Sequence, residues 1–543
     1  MIRQIDCLEP YQRAIAKAHL AAAGIDVDAL ATRPLIAVAN SWNEICPGHE
    51  PLRKLAEEVK KGIIEAGGEP IEFNTIGMCD GIAQGHEGMR YCLPHRELIT
   101  DSIEAMIIGE GIFDGIVFLG SCDKIIPGML NAAARINLPS ILVTAGPCYT
   151  EITPDDSKKA RQQFLRNEIS EKQLIEITLR YYTGPGICPF LGTANTMGCL
   201  CEALGIMLPG SSLTPSSTSM RRFHARESGR AIMRMVTQSV RARDILTKEA
   251  LLNATTLLSA IGGSLNALLH LPALAHELGI RFDWNDMSEI TQKTPVLTPI
   301  TPNGNKTVID LHQAGGIPAV LKEIKDLLIL DVDTVCGKSL RQIIEEAPSG
   351  KRDTIYSFDK PLQPADGIQV LYGNLAPDGA LVKMSAVSAE QRKFSGRARV
   401  FDSERACYQA FKDEKIKSGD VLVIRYEGPK GGPGMRELHR ITEILKGISG
   451  TAVITDGRFS GASGGLSIGY VSPEAYEGGP IALVKEGDLI EIDLPNRQMN
   501  LCVTEEEMAA RREVCCLHHK DEIGYLKRYA LSVGCSREGA VLS

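Results

Sequence analysis

Short apolar runs alternate with helical patterns between residues 34 and 144, and this alternation constrains the fold more than any other feature. Runs rich in Val, Ile and Leu predict strands, and the amphipathic stretches between them predict helices. A repeated strand–helix–strand order predicts a parallel sheet with crossover helices, which is an α/β fold. The predicted strands are 34–39, 70–74, 115–119 and 140–144; the predicted helices are 52–66, 96–109 and 128–136, with longer ones over 219–247 and 312–327.

The turn after the predicted strand 115–119 brings three chemically distinct side chains together. Cys122, Asp123 and Lys124 occupy consecutive positions there. Loops at the carboxyl ends of parallel strands are where α/β proteins bind their ligands. The thiol could bind a soft metal, and the carboxylate could bind a hard metal. The amine could adjust the local charge. The alternative is a polar turn with one half-buried cysteine.

The sequence pattern changes between residues 350 and 366. From Gly367 onward, strand patterns separated by turns predict a barrel-like or compact β-rich domain. A chain of 543 residues is too long for one ordinary core. We therefore predict an α/β domain over 1–365 and a β-barrel-like domain over 366–543. Strands of the second domain are predicted over 368–372, 380–383, 398–401, 421–425, 451–455, 481–484 and 489–493.

Charge and hydropathy argue against two kinds of partner. The net charge of -8, without a basic run, argues against a nucleic-acid or anionic-membrane surface. The apolar runs are far shorter than a membrane span. Residues 1–6 lack the apolar segment of a signal peptide, so a cytoplasmic location is expected.

The 15 cysteines are scattered, and no C-x-x-C pair occurs, so neither a zinc ribbon nor a ferredoxin-type run is supported. A disulfide framework is not expected in a cytoplasmic chain. We interpret most cysteines as small buried hydrophobic residues, including Cys79, Cys199 and Cys201. A metal or cluster would have to take its ligands from distant segments.

Five loop sequences together resemble one family, the iron–sulfur dihydroxy-acid and sugar-acid dehydratases. They occur in order, at family-like spacing and over nearly the whole chain, which is far more specific than any one motif. Taken singly, each has an ordinary explanation, such as a turn-forming Asp or Ser beside Gly. The five are Gly81-Ile-Ala-Gln-Gly-His-Glu-Gly-Met-Arg-Tyr91, Ser121-Cys-Asp-Lys-Ile-Ile-Pro-Gly-Met129, Gly192-Thr-Ala-Asn-Thr-Met197, Arg425-Tyr-Glu-Gly-Pro-Lys-Gly-Gly-Pro-Gly-Met435 and Asp456-Gly-Arg-Phe-Ser-Gly461.

The resemblance implies a hydro-lyase that removes water from a 2,3-dihydroxy acid and yields a 2-keto acid. It implies that Asp80, Asp123, Glu437 and a carbamylated Lys124 bind Mg²⁺, since oxygen ligands suit a hard cation. It also implies that Ser460 is the catalytic base. The ordinary pKa of a serine hydroxyl is far too high for this role, so nearby cations must stabilise the alkoxide.

Cys122 and Cys188 match two cysteine ligands of the family's iron–sulfur cluster, but the third ligand is open. Members with a three-cysteine [2Fe-2S] site have a cysteine where this chain has Gly48. The Pro-Gly-His form found here resembles members with an oxygen-labile [4Fe-4S] cluster. Cys46 is either a displaced ligand or a buried thiol, so the cluster is expected to be [2Fe-2S] or [4Fe-4S].

The resemblance further implies a site between the two domains, a small-molecule acid substrate and a homodimer or homotetramer. The loops 424–434 and 454–461 resemble the enzyme of branched-chain amino-acid (valine and isoleucine) biosynthesis, which favours its dihydroxy-acid substrate. Segments 192–194 and 208–212 look more like aldonate dehydratases, so a sugar acid is the alternative. A non-enzymatic iron–sulfur sensor is a remote alternative. The presence of a candidate base argues against it, because a sensor needs no base. His49 and His86 either line the site or are ordinary loop histidines.

Overall fold

The first part of the chain is built on a parallel four-stranded sheet. The computed structural model describes residues 3–384, 387–438, 440–441, 448, 450–459, 465–518 and 522–542. The strand order is β2-β1-β3-β4, and all three neighbouring pairs are parallel, which confirms the prediction. Strands β1, β3 and β4 are buried along their whole length, as is usual for a parallel sheet covered by helices. The strands are β1 (Leu35–Asn40), β2 (Glu69–Asn74), β3 (Gly115–Leu119) and β4 (Ser140–Val143).

Helices fill the rest of this part and recur near the end of the chain. None in the described part of the chain combines the length and apolar character that crossing a membrane requires. The α-helices are Pro10–Ala22, Leu52–Glu65, Asp80–Ala83, Pro94–Glu110, Ile125–Ile136, Pro154–Leu165, Glu171–Tyr181, Thr193–Ala203, Ser219–Gln238, Ala242–Ile245, Lys248–Ile261, Ala267–Leu278, Trp284–Thr291, Val308–Gln313, Gly316–Glu323, Leu340–Glu346, Glu404–Lys412, Glu505–Val514 and Gly524–Ser532.

Two predicted helices are interrupted. The helix predicted over 219–247 ends at Gln238, because Ser239 adopts a left-handed conformation with φ 58° and closes it. The helix predicted over 312–327 is two shorter helices. Gly315 separates them with φ 120°, a backbone conformation that glycine adopts much more readily than other residues.

The second part is a closed β-barrel, which confirms the predicted barrel-like domain. Its strands follow the order β10-β6-β5-β12-β11-β7-β8-β9 around the barrel. Closure leaves no free sheet edge and encloses an apolar interior. The strands are β5 (Ile368–Gly373), β6 (Ala376–Lys383), β7 (Lys393–Phe401), β8 (Asp420–Ile424), β9 (Ala452–Thr455), β10 (Leu466–Ser472), β11 (Leu489–Asp493) and β12 (Gln498–Leu501).

The strand predicted over 481–484 is wrong. Residues Pro480–Leu483 form a short 3₁₀ helix, with Pro480 at its start. Its residues are buried, so its apolar character reflects packing and not strand pairing. Strands β10 and β12 were not predicted, since β10 contains Ser467 and Gly469 and β12 is a four-residue strand in which two residues are polar.

The two parts share one hydrophobic core. Ile368 and Leu381 of the barrel belong to the same buried cluster as the parallel sheet. Trp284 packs edge-on against Tyr470, with ring centroids 6.4 Å apart. The Arg96 guanidinium also donates a hydrogen bond to the Ala540 carbonyl at 2.7 Å. The junction is therefore a packed interior, and loops from both parts can be held in fixed positions there.

Candidate active site and metal centre

A cavity of about 690 Å³ lies where loops of the α/β part meet the segment that carries Glu437. Its walls come from the turns that follow β1, β2 and β3, from residues 184–188 and from the start of the helix Thr193–Ala203. These turns leave the carboxyl ends of parallel strands, the expected place for a site. The cavity brings together most of the predicted site residues: Cys46, Asp80, Cys122, Asp123, Cys188 and Glu437, and it also includes Cys79.

The turn after β3 leads directly into a buried helix. Ser121 Oγ accepts a hydrogen bond from the Ala145 amide at 2.9 Å, which ties this turn to the end of β4. The helix Ile125–Ile136 begins immediately after Lys124, three residues earlier than predicted. Pro127 is tolerated in the first helical turn, where an N–H would have no partner within the helix. The thiol, the carboxylate and the amine are thus held between a buried strand and a buried helix.

Three carboxyl groups converge on one lysine. The Lys124 ammonium pairs with Asp123, and its Nζ lies 3.7 Å from Glu437 Oε1. Burial, together with the neighbouring charges of Asp123 and Glu437, raises the pKa of Asp80 to about 7, although Lys124 acts in the opposite direction. The cluster therefore holds more negative charge than the lysine alone balances, which favours a bound cation.

Glu437 is oriented by groups from both parts of the molecule. Its Oε1 accepts hydrogen bonds from Asn266 Nδ2 at 2.8 Å and from Arg458 Nη1 at 2.7 Å. The Asn266 amide also donates to Thr193 Oγ1 at 2.9 Å, and its oxygen accepts a hydrogen bond from the Tyr470 hydroxyl. All of these side chains are buried. This network fixes the carboxylate on the wall of the cavity.

Four thiols line the same cavity. Cys46 Sγ lies 3.4 Å from Cys122 Sγ, and Cys46 also makes a side-chain hydrogen bond with Cys79. Cys188 is exposed and reaches the cavity from the 184–188 loop. Two thiolates on one tetrahedral metal ion are separated by about 3.8 Å when each metal–sulfur bond is ~2.3 Å. The spacing between Cys46 and Cys122 fits that arrangement.

His49 supports the thiol turn from behind. Its Nδ1 lies 2.7 Å from the Ser41 carbonyl and donates to it, while Nε2 accepts a hydrogen bond from the Cys122 amide at 3.3 Å. Burial lowers the pKa of His49 to about 4, so the ring is neutral, as this hydrogen-bond pattern requires. His49, Cys46 and Cys122 offer ligand atoms within 4.8 Å of one another. Because both ring nitrogens are occupied, we interpret His49 as a support for the thiols and not as a ligand.

The donor atoms fit two kinds of metal group. Thiols suit iron or an iron–sulfur cluster, and clustered carboxylates suit a hard cation such as Mg²⁺. The crowding of Asp80, Asp123 and Glu437 is the observation that supports the hard cation. The 3.4 Å contact between two thiols is the observation that supports the soft one.

The remaining residues singled out in the sequence are a serine, a glycine, a histidine and two cysteines. Ser460 lies outside the described residues. A Cβ atom at Gly48 would lie 2.6 Å from Cys122 Sγ, so this glycine gives the thiol its space. His86 is exposed and caps a short helix by accepting a hydrogen bond from the Gly88 amide, so it is a structural histidine. Cys199 and Cys201 are buried in the core, as predicted.

Comparison with known sequences assigns the chain to a family. The family described as Dihydroxy-acid/6-phosphogluconate dehydratase N-terminal matches residues 33–343, and its C-terminal counterpart matches residues 353–540. The chain belongs to the dihydroxy-acid/6-phosphogluconate dehydratase family. The resemblance inferred from the five loop sequences is confirmed.

Curated relatives of this family extend over almost the whole chain. A dihydroxy-acid dehydratase of Acetivibrio thermocellus is 48% identical over 522 residues, which cover 94% of each chain. A dihydroxy-acid dehydratase of Pyrococcus furiosus is 47% identical over 523 residues, again 94% of each chain. A dihydroxy-acid dehydratase of Methanococcoides burtonii is 45% identical over 542 residues, covering 97% of this chain and 98% of the relative.

Three residues at the dehydratase site were missed by sequence reasoning. Cys79 was interpreted as a packing residue, yet it lines the cavity; its position beside Asp80 was the available signal. Asn266 ends a glycine-rich stretch, but nothing in that stretch specifies a partner. Arg458 lies within a recognised motif, and only the fold shows that it pairs with Glu437.

Proposed function

We propose that this chain is a dihydroxy-acid dehydratase, which removes water from a 2,3-dihydroxy carboxylic acid to give a 2-keto acid. The observation that carries the proposal is that Asp123 and Glu437 line the same cavity as Cys122 and Cys188. Removing a C2 proton and a C3 hydroxyl needs charge stabilisation at both ends of a small acid. The names of the relatives that match nearly the full chain support the same reaction.

The two kinds of donor would hold two metal groups. We propose that Asp80, Asp123, Glu437 and Lys124, as a carbamate, bind Mg²⁺. Cys122 and Cys188, with Cys46, would bind an iron–sulfur cluster, [2Fe-2S] or [4Fe-4S]. When bound, these groups would supply Lewis acidity at the carboxylate end of the substrate and at its C3 hydroxyl. A Lys124 ammonium would repel a cation, and carbamylation would replace that charge with oxygen donors.

The protein's own residues would orient the substrate and move the proton. Asn266 and Arg458 hold Glu437 in one orientation, so its second oxygen can face the cavity. Ser460 follows Phe459 in the chain. We propose that its side-chain oxygen, ionised to the alkoxide, takes the C2 proton and thereby becomes a hydroxyl.

The favoured substrate is the branched-chain dihydroxy acid of valine and isoleucine biosynthesis. An aldonic acid is the second candidate, because a segment that resembles aldonate dehydratases lies at the cavity: Gly192, Thr193 and Ala194 line its wall. A division near residue 365, a homodimer or homotetramer and a cytoplasmic location remain part of the proposal.

The test is anaerobic purification, loading with iron, sulfide and Mg²⁺, and an assay of keto-acid formation from both substrate classes. Turnover of the branched-chain dihydroxy acid is expected. Turnover of an aldonic acid alone would favour the second candidate substrate. If the loaded protein turned over neither acid, the proposed dehydratase function would be overturned in favour of a sensor.

A pair of serine variants tests the proposed base. Ser460→Ala is expected to keep its metal content and lose activity. Ser259→Ala is the matched control, because within the described residues the Ser259 hydroxyl donates to a carbonyl of its own helix and makes no other hydrogen bond. Full activity in Ser460→Ala would remove Ser460 from the mechanism.

A further inference from the structure

A buried lysine of the barrel points into the junction with the α/β part. Lys383 is the last residue of β6, and its side chain lies on the same face of that strand as Leu381. Leu381 belongs to the core cluster that the barrel shares with the parallel sheet, whereas Val382, on the opposite face, belongs to the barrel interior. Lys383 is only 7% exposed, so its ammonium group lies inside the packed junction.

The ammonium group of Lys383 binds two consecutive carbonyls. Its Nζ donates hydrogen bonds to the Gly262 carbonyl at 3.1 Å and to the Gly263 carbonyl at 3.3 Å. Gly262 closes the helix Lys248–Ile261 in the left-handed conformation, with φ 63°. A cation near the last carbonyls of a helix is favourable, because that end of the helix dipole is negative. Lys383 therefore fixes the end of this helix and the start of the turn that follows.

Lys383 holds these carbonyls at a cost in stability. Among the described residues no carboxylate pairs with it, and burial lowers its pKa to about 8. A charge that is buried without an opposite charge is unfavourable, and an apolar side chain of similar length would avoid this cost. The Gly262 carbonyl already has a second donor, because Asn303 Nδ2 binds it at 2.7 Å. Stability alone therefore does not explain an ammonium group at this position.

The turn that begins at Gly262 carries Asn266, the residue that orients Glu437. Ser264 Oγ lies 3.0 Å from Thr193 Oγ1 and accepts a hydrogen bond from the Asn266 backbone amide at 3.3 Å. The Asn266 side chain donates to Thr193 Oγ1 at 2.9 Å and to Glu437 Oε1 at 2.8 Å. One end of the turn is thus held by a barrel lysine, and the other end contacts a carboxylate that lines the cavity.

We propose that Lys383 is a positioning residue for the Mg²⁺ site and acts through Asn266 on Glu437. Its ammonium group fixes the turn of residues 262–266 against the barrel and keeps the Asn266 amide directed at the Glu437 carboxylate. Lys383 does not line the cavity, so it contacts neither the metal nor the substrate. This assignment rests on the proposed function, in which Glu437 binds Mg²⁺.

The experiment measures metal binding without turnover. Mn²⁺, which prefers the same oxygen ligands as Mg²⁺, is titrated into the anaerobically loaded full-length chain in Mg²⁺-free buffer, and free Mn²⁺ is read from its electron paramagnetic resonance signal. Lys383→Met, which keeps the length of the side chain and removes its charge, is compared with Lys322→Met. Lys322 is the matched control, because its Nζ also donates to a backbone carbonyl, that of Ala347, and neither residue lines the cavity.

We expect Lys383→Met to bind Mn²⁺ about tenfold more weakly, because residues that orient a metal ligand affect affinity to this extent. Its Tm should stay equal or rise, since a buried charge is removed. Lys322→Met is expected to bind Mn²⁺ like the unmodified chain. A lowered Tm in Lys383→Met with unchanged Mn²⁺ affinity would show a purely structural role and overturn the proposal. If Lys383→Met does not fold, Lys383→Gln, which keeps an N–H donor without the charge, is judged by the same two outcomes.

A double-mutant cycle tests the route through Asn266. Mn²⁺ affinity is measured for Lys383→Met, for Asn266→Ala and for the double variant. If Lys383 acts through Asn266, the double variant should bind Mn²⁺ no more weakly than Asn266→Ala alone. Losses that multiply in the double variant would mean that Lys383 acts by another route, and the proposal would fail.

Mn²⁺ binding and activity separate this proposal from the proposed function. If the unmodified chain dehydrates a dihydroxy acid while Lys383→Met binds Mn²⁺ normally, the positioning role fails and the function stands. If the loaded chain turns over no acid while Lys383→Met loses Mn²⁺ affinity, the function fails and the positioning role stands. If the unmodified chain binds no Mn²⁺, both the Mg²⁺ assignment and the positioning role fail.

Discussion

Asn266 donates a hydrogen bond from its side-chain amide to Glu437 Oε1 at 2.8 Å, and this contact joins the α/β part to the segment preceding β9. The same oxygen accepts a hydrogen bond from Arg458. A carboxylate fixed on one oxygen by two donors has one free oxygen with a defined direction. The orientation of Glu437, the proposed Mg²⁺ ligand, thus depends on the packing of the two parts together.

Replacing Asn266 with Ala is expected to weaken Mg²⁺ binding by about tenfold or more, because outer-shell partners orient carboxylate ligands. The measurement is the Mg²⁺ dependence of keto-acid formation. Asn253→Ala is the control, since buried Asn253 bonds to the backbone of Ile329 and neither residue lines the cavity. Asn253→Ala is expected to lower Tm and leave the Mg²⁺ dependence unchanged. Equal Mg²⁺ dependence in both variants would contradict the role assigned to Asn266.

Replacing His49 with Ala is expected to reduce iron retention. The variant leaves the Ser41 carbonyl with only the 3.3 Å hydrogen bond from Asn43, and it removes the His49 acceptor of the Cys122 amide. An unpaired buried polar group costs about 1–3 kcal/mol. Iron per chain after anaerobic loading is the measurement, with Tm recorded in parallel. His86→Ala, a change at an exposed loop histidine, is expected to keep the iron. An iron content in His49→Ala equal to that of His86→Ala would show that the thiol turn does not depend on His49.

The sheet and the barrel were predictable because their strands carry a local signal. β3 is a continuous apolar run, and β1 and β8 are apolar except for one terminal residue each. A strand that is buried on both faces shows this pattern whichever strands it pairs with. The segment 481–484 carries the same signal for a different reason. It is a buried 3₁₀ turn, and composition alone does not distinguish a buried turn from a buried strand.

The part of the site that could be predicted from the sequence is the part whose functional side chains are neighbours in the chain. Cys122, Asp123 and Lys124 are neighbours in the chain, and the five loops resemble a family. The pairing of Glu437 with Asn266 joins residues 171 positions apart, so no local pattern contains it. Cys79 reads as an ordinary small hydrophobic residue until the sheet order places its loop beside Cys46.

His95 is expected to make the protein sensitive to mild acid. Its Nδ1 bonds to the Cys92 carbonyl, its Nε2 has no partner within the described chain, and burial lowers its pKa to about 4. The unfolded histidine has a pKa of about 6.5, so between these values only the unfolded state binds the proton. Stability therefore falls as pH drops from 6.5 to 4, by about 2 kcal/mol at pH 5. The loss of Tm between pH 7 and pH 5 should be smaller in His95→Leu than in a control at exposed His276, and parallel losses would exclude this role.

Replacing Gly48 with Ala is expected to displace the Cys122 thiol without unfolding the protein. The added Cβ would lie 2.6 Å from Cys122 Sγ, and rotation of that side chain relieves the contact while moving the sulfur away from Cys46. Iron retention after anaerobic loading should fall, with Tm nearly unchanged. Gly109→Ala is the matched control, because a Cβ at this helical position meets no atom within 4 Å, and alanine there should stabilise the helix by up to about 1 kcal/mol. Full iron content in Gly48→Ala would mean that the cluster does not need Cys122 in its present position.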